Sequence, residues 1–223
     1  MRILLIADIH ARANVVERLM ARITGIDCIL VAGDITHFGG YAEAAKVIEP
    51  ILAREIPVLS VGGNCDTEGV EEYLTDKKIN LHGRDVRWGG LIFVGVGGSL
   101  PCPRTTPREY GDNILETALS KALWQAKETS SDGQASPLVV VTHQSAFGTK
   151  VDSVDGRYTG SPAIRRFIEI HQPILAVSGH IHEAFGTDAI GKTILVNPGP
   201  LREGRYAIVE LQGTQVNVSL KQL

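Results

Sequence analysis

The chain opens on an unbroken apolar run, Met1 to Ala7, that stops at Asp8; Val15, Val16, Leu19, Met20 and Ile23 then recur at helical spacing. This pattern predicts a strand, a loop and a helix. The alternation repeats with a strand over Cys28 to Ala32, a helix over about Tyr41 to Arg54, a strand over Pro57 to Val61 and a short helix near Glu68 to Leu74. Apolar strands alternating with helices imply parallel βαβ crossovers and a sheet covered on both faces. After Leu81 the texture changes, because Val86 to Trp88 and Leu91 to Val96 flank Gly89-Gly90, a hairpin signal. A second or mixed sheet is expected.

A longer helix is predicted over roughly Asn113 to Lys127, with Ile114, Leu115, Ala118, Leu119, Ala122 and Leu123 as its apolar stripe. The polar stretch Glu128 to Ser136 reads as a surface loop. Strand Leu138 to Val141 runs into His143, a helix starts near Ser161 with Pro162 in its first turn, and strand Ile174 to Val177 runs into His180. From Phe185 to Leu220 the pattern is of four short strands separated by Gly191, Gly204 and Gly213. With no repeat and no linker, one α/β domain over residues 1–223 is expected.

Composition excludes several classes. A 43% hydrophobic and 21% charged chain is neither disordered nor fibrous, and a formal net charge of −3 disfavours broad neutralisation of nucleic-acid phosphates. No apolar run approaches the roughly 20 residues that span a bilayer, and the opening run lacks a signal-peptide cleavage site. A cytoplasmic protein without membrane contact is expected. Cys28, Cys65 and Cys102 are dispersed, which suggests neither a disulfide framework nor a zinc ribbon.

In open α/β sheets, ligands bind beyond the carboxyl ends of the strands. Those ends here carry Asp8-Ile9-His10, Gly33-Asp34, Gly62-Gly63-Asn64, Thr142-His143 and Ser178-Gly179-His180-Ile181-His182. Each delivers a carboxylate, a carboxamide or an imidazole, the mixed oxygen and nitrogen donors that suit manganese, iron, zinc or nickel. Asp8 and His10, two apart in an extended segment, face the same side.

The ordered set D-x-H, G-D, G-N-x-D, T-H and G-H-x-H resembles that of the calcineurin-like metallophosphoesterases, and it spans Asp8 to His182. Among these, the chain looks most like the small single-domain bacterial and archaeal phosphoesterases. The resemblance implies a four-layer α/β/β/α sandwich of two mixed sheets flanked by helices. It also implies one ion held by Asp8, His10, Asp34 and His182, and a second held by Asp34, Asn64, His143 and His180. Asp34 would bridge two divalent ions, Mn²⁺ foremost, with Fe, Zn or Ni as alternatives. Such a centre lowers the pKa of a shared water and orients it for in-line attack on a phosphate ester, which makes the resemblance one to a phosphodiesterase or phosphatase.

Many members of the family carry a histidine after the Gly-Asn pair, and that histidine, paired with an acidic residue, assists the leaving group. Here the pair is Cys65 and Asp66. A thiol is the poorer proton donor at neutral pH, so good leaving groups are expected to be favoured. Asn64, Cys65, Asp66 and His143 are the expected catalytic residues. Relatives with Gly-Asn-Cys-Asp include both phosphodiesterases and non-catalytic scaffolds of the retromer type, so a binding scaffold on the same fold is the alternative.

Two loops, Gly98 to Gly111 and Ser145 to Gly160, are expected to frame a small phosphate-ester substrate, with Arg104, Arg108 and Arg157 as candidate phosphate clamps. Self-association into a homo-oligomer is admitted. His37 is placed near the site mouth, and His82 and His171 on the surface. Gly186 to Thr193 matches the P-loop expression, but the residues after Lys192 are strand-like and no helix opens there, so it reads as a β-hairpin. Asn217-Val218-Ser219 fits the glycosylation pattern and is inert without a secretory signal.

Overall fold

The alternation of apolar strands and amphipathic helices closes into two packed sheets with helices outside both. A computed structural model describes residues 1–128 and 136–223. The first half runs β1 (Arg2–Ile6), α1 (Ala13–Arg22), β2 (Cys28–Ala32), α2 (Tyr41–Leu52), β3 (Val58–Val61), α3 (Glu68–Asp76), β4 (Asp85–Trp88), β5 (Leu91–Val96) and α4 (Asp112–Glu128). The second half runs β6 (Leu138–Thr142), β7 (Ser153–Val154), β8 (Arg157–Tyr158), α5 (Pro162–His171), β9 (Leu175–Val177), β10 (Gly186–Ile190), β11 (Thr193–Asn197), β12 (Arg205–Gln212) and β13 (Gln215–Gln222).

One sheet has the order β13-β12-β1-β2-β3 and the other β10-β11-β9-β6-β5-β4. Both are mixed: β1, β2 and β3 are parallel while β12 and β13 are antiparallel, and β5, β6, β9 and β11 are parallel between the antiparallel edges β4 and β10. Side-chain alternation along each strand sorts the core into three layers. Leu4, Ile6, Ile29 and Val31 pack under α1, α2 and α3. Ile3, Leu5, Leu30 and Leu59 meet Phe93, Val139, Val141 and Val177 between the sheets. Val94, Val140 and Ala176 pack under α4 and α5. This is the four-layer α/β/β/α sandwich.

Local signals largely hold. Gly89 and Gly90 take φ of 60° and 78°, the left-handed pair that a tight hairpin needs. Ser161 caps α5 by accepting from the Ile164 N–H at 3.0 Å, with Pro162 in the first turn. The P-loop look-alike is the β10–β11 hairpin, turning at Gly191-Lys192.

Some expectations need correction. Ile114 lies one position round α4 from Leu115 and is 48% exposed, off the stripe that packs inward. The loop from Ser145 to Gly160 is not wholly irregular, since it carries the two-stranded β7–β8 ribbon. The last two strands are eight residues each, not short. Of the surface loop expected over Glu128 to Ser136, residues 129–135 lie outside the described residues. Among the described residues no helix is long and apolar enough to cross a membrane.

Candidate metal centre

The carboxyl ends of β1, β2, β3, β6 and β9 converge at one rim of the sandwich, and the expected donors are carried there by turns rather than by the strands. Four of the seven adopt left-handed backbone: Asp8, His10, Asp34 and His180 have φ of 52°, 47°, 50° and 69°. Non-glycine residues there carry about 1–3 kcal/mol of strain each, which the surroundings must hold. They do so by hydrogen bonds between neighbouring strand ends. The Asp8 N–H donates to the Gly33 carbonyl at 3.0 Å and the His10 N–H to the Asp34 carbonyl at 2.9 Å. The Gly179 N–H donates to the His143 carbonyl at 3.1 Å. Glycine is required where these turns touch: a β-carbon on Gly33 would strike the His143 ring, and one on Gly63 would fall on the Asp34 carboxylate.

Asp34 lies between two groups of donors. One carboxylate oxygen is 3.6 Å from His10 Nε2 and the other is 3.4 Å from His143 Nε2. On the first side, His182 Nε2 is 3.2 Å from Asp8 Oδ1 and 3.3 Å from His10 Nε2. On the second side, His143 Nε2 is 2.9 Å from Asn64 Oδ1, and the His180 ring centroid is 5.1 Å from that of His143. Donors bound at about 2.1 Å to one ion lie about 3.0 to 3.4 Å apart, depending on whether the angle is octahedral or tetrahedral. The separations among Asp8, His10, Asp34, Asn64, His143 and His182, from 2.9 to 3.6 Å, lie close to that requirement, and His180 stands beside His143 by its ring.

The protons make a sharper test of fit. His143 Nδ1 is 2.8 Å from the Ala32 carbonyl, which only accepts, so the ring proton belongs on Nδ1 and Nε2 carries a lone pair. Asn64 Nδ2 donates to Thr106 Oγ1 at 3.1 Å, and Thr106 gives its own proton to Glu109 at 2.7 Å, so the oxygen end of the amide faces His143. With the ring in the neutral form that a metal ligand requires, two lone pairs face each other at 2.9 Å. A cation between them relieves that repulsion, and the residues fit a metal.

The electrostatics agree. Burial holds the His10 imidazole down to about 4 and that of His180 down to about 3, so both are neutral ligands at physiological pH. Burial alone would raise Asp8, but its hydrogen bond from His182 and the imidazoles of His143, His182 and His10 bring it below the usual carboxylate range. Asp34 is pushed up by burial and by the nearby Asp8, a penalty that bound positive charge reverses.

All seven expected ligands are therefore brought together, and the remaining expectations divide. Asp66 is fully buried and touches no open part of the site; its carboxylate accepts from the Gly63, Ile35 and Thr36 N–H groups and the Thr36 hydroxyl. It ties the β2 and β3 turns together and is a positioning residue, not a catalytic one. The Cys65 thiol is buried against Asn64 Nδ2 at 3.7 Å, and burial and Asp34 push its pKa up. Arg108 is corrected as a phosphate clamp: its side chain is 8% exposed, and its guanidinium is paired with Glu71 beneath the Gly62 turn. Arg104 and Arg157 are exposed on the two framing loops. His82 and His171, expected on the surface, are both half-buried: His82 Nδ1 accepts from the Gly97 N–H at 3.0 Å, and His171 lies against Phe167. His37 is exposed at the mouth, 5.5 Å from the His10 ring, as expected.

Three further residues at the site lie outside the sequence-based expectations. Arg202 Nη2 lies 3.1 Å from His182 Nδ1, Cys102 Sγ lies 3.9 Å from His180 Nε2, and Thr106 holds the Asn64 amide. Only Arg202 has a signal in the chain: it follows Asn197-Pro198-Gly199-Pro200, a turn after a strand that proves parallel to β9 and ends at the same rim.

The same fold occurs in known proteins. Residues 1–184 match the family model of the calcineurin-like phosphoesterases. An uncharacterized protein, MJ1162, of Methanocaldococcus jannaschii is 34% identical over 207 residues, covering 90% of this chain and 88% of its own. The crystal structure of TT1561 from Thermus thermophilus superposes with a TM-score of 0.75 at 21% identity, over 98% of this chain and 97% of that one. That of a dimetal phosphatase from Danio rerio superposes with a TM-score of 0.63 at 14% identity, over 100% and 98%. The chain belongs to the calcineurin-like phosphoesterase family, in general one of metal-dependent phosphoesterases.

Proposed function

We propose that this chain is a dinuclear metal-dependent phosphoesterase that hydrolyses phosphodiesters, with phosphomonoesters as poorer substrates. The observation that carries the reading is Asp34, whose two oxygens face nitrogen donors of two different groups. Divalent ions bound there, Mn²⁺ foremost, would supply a water of lowered pKa and charge to neutralise the transferring oxygens. The chain's own residues do the rest. His10 and His180 stay neutral and His143 keeps its proton on Nδ1, so all three present lone pairs. Cys65 stays a protonated, weakly acidic thiol, so leaving groups that depart as stable anions are favoured.

Mn²⁺-loaded protein is expected to hydrolyse bis(nitrophenyl) phosphate faster than nitrophenyl phosphate, and chelation is expected to stop both. Metal-dependent turnover of neither ester contradicts the proposal and favours a scaffold on the same fold.

Arg202 replaces Arg108 as the phosphate-facing cation. Its Nη2 lies 3.1 Å from His182 Nδ1, and a neutral His182 ring that accepts there carries its proton on Nε2, facing Asp8. Were His182 to hold an ion through Nε2, its proton would belong on Nδ1 and Arg202, which is exposed beside the site, would be free to meet a phosphate. Arg202→Ala is expected to raise KM for the diester about three- to tenfold with kcat within about twofold, the signature of lost ground-state binding. Steady-state kinetics with an unchanged KM would remove Arg202 from substrate binding.

A further inference from the structure

Segment 99–110 is not only a frame for substrate, because two of its residues, Thr106 and Arg108, hydrogen-bond one expected metal ligand, Asn64. The Arg108 N–H donates to the Asn64 carbonyl at 3.1 Å, and the Arg108 carbonyl accepts from the Ser99 N–H at 3.1 Å. The Arg108 guanidinium, paired with Glu71, anchors the segment under the Gly62 turn. Two residues earlier, Thr106 meets the Asn64 side chain. The Thr106 hydroxyl has a single proton, and Glu109 Oε1 takes it at 2.7 Å while also accepting the Thr106 N–H at 2.8 Å. A carboxylate only accepts, so the hydroxyl has only a lone pair left for Asn64. That lone pair receives Nδ2–H, and Oδ1 is turned toward His143. Glu109 is held below the usual carboxylate range by these Thr106 bonds.

An amide has one ligating end and one that repels a cation. Asn64 flipped by 180° would direct its NH₂ at the second ion. We infer that Thr106, polarised by Glu109, is a positioning residue that fixes the Asn64 amide with its oxygen toward the second metal site, so that segment 99–110 governs occupancy of that site. The inference rests on the dinuclear reading and adds a determinant outside the ligand set. Groups that orient metal ligands commonly change affinity about 10- to 100-fold when removed.

The test is titration of metal-free protein with Mn²⁺, followed by calorimetry, on Thr106→Val, which keeps the shape and loses the hydroxyl. Expected is a 10- to 100-fold weaker second equivalent with the first within about twofold, an unchanged melting temperature without metal, and recovery in Thr106→Ser. A second background separates orientation from packing: in Asn64→Asp both side-chain ends ligate, so adding Thr106→Val should weaken the second equivalent by no more than about twofold. An unweakened second equivalent in Thr106→Val, or equal losses with and without the Asn64→Asp substitution, overturns the inference while leaving the dinuclear reading intact. A wild type that binds a single ion overturns both.

Discussion

Asp34→Asn is expected to abolish hydrolysis, with kcat/KM for a nitrophenyl diester falling on the order of a thousandfold or more, while the metal-free protein becomes no less stable. The substitution keeps the side chain's shape and one oxygen for the Cys65 N–H, which now donates to Asp34 Oδ1 at 2.8 Å. It puts an NH₂ where the other oxygen faced His10, and it removes a negative charge. The second ion keeps some donors, but the two groups lose the carboxylate that joins them. Stability moves the other way, because in the absence of metal Asp34 is a buried carboxylate destabilised by burial and by Asp8. Removing that charge relieves the repulsion. Parallel kinetics and thermal unfolding of the chelated protein check both halves. A variant that retains more than about a tenth of the activity would remove Asp34 from its bridging role.

The largest effect on stability is expected from Asp66→Ala. The carboxylate is fully buried and satisfies three backbone N–H groups, on Gly63, Ile35 and Thr36, as well as the Thr36 hydroxyl. Alanine leaves those donors buried without partners, at a cost of roughly 3–5 kcal/mol. For a domain of this size that lowers the melting temperature by about 10 °C. Because Gly63 and Ile35 adjoin Asn64 and Asp34, metal affinity should fall as well. Asp66→Asn should lie between, since one oxygen is retained. Chemical unfolding without metal measures the loss, and a change below about 1 kcal/mol would show that Asp66 does not tie the turns.

Much of this molecule is legible in the chain alone. The strands are strongly apolar and end abruptly at polar residues, and parallel strands can only present those ends at one rim, so Asp8, Asp34, Asn64, His143 and His180 announce a shared site. Turn chemistry is equally local: Gly89-Gly90 and Ser161-Pro162 act within a few residues and behave as their types require.

What is illegible depends on contacts between distant segments. Arg108 looks like any loop arginine, and only the fold reveals Glu71, on α3, as its partner. Asp66 sits beside Asn64 in the chain, yet its partners on Ile35 and Thr36 turn it into a buried tie. Thr106 has no motif at all; it matters because segment 99–110 folds back over the β3 turn. Ile114 continues an apolar pattern, but one position round a helix is about 100°, enough to leave the core. No motif surrounds His82, and its place on the Gly97 N–H comes only from the packing of the strands.

The central claim is that the chain holds two ions joined by one carboxylate. Metal-free wild-type protein titrated with Mn²⁺ and followed by electron paramagnetic resonance tests it most directly, since ions sharing Asp34 couple their spins and ions at separate sites do not. Two equivalents with a coupled spectrum are expected, reverting to an uncoupled signal in Asp34→Asn. A single equivalent, or two that remain uncoupled in the wild type, would contradict it.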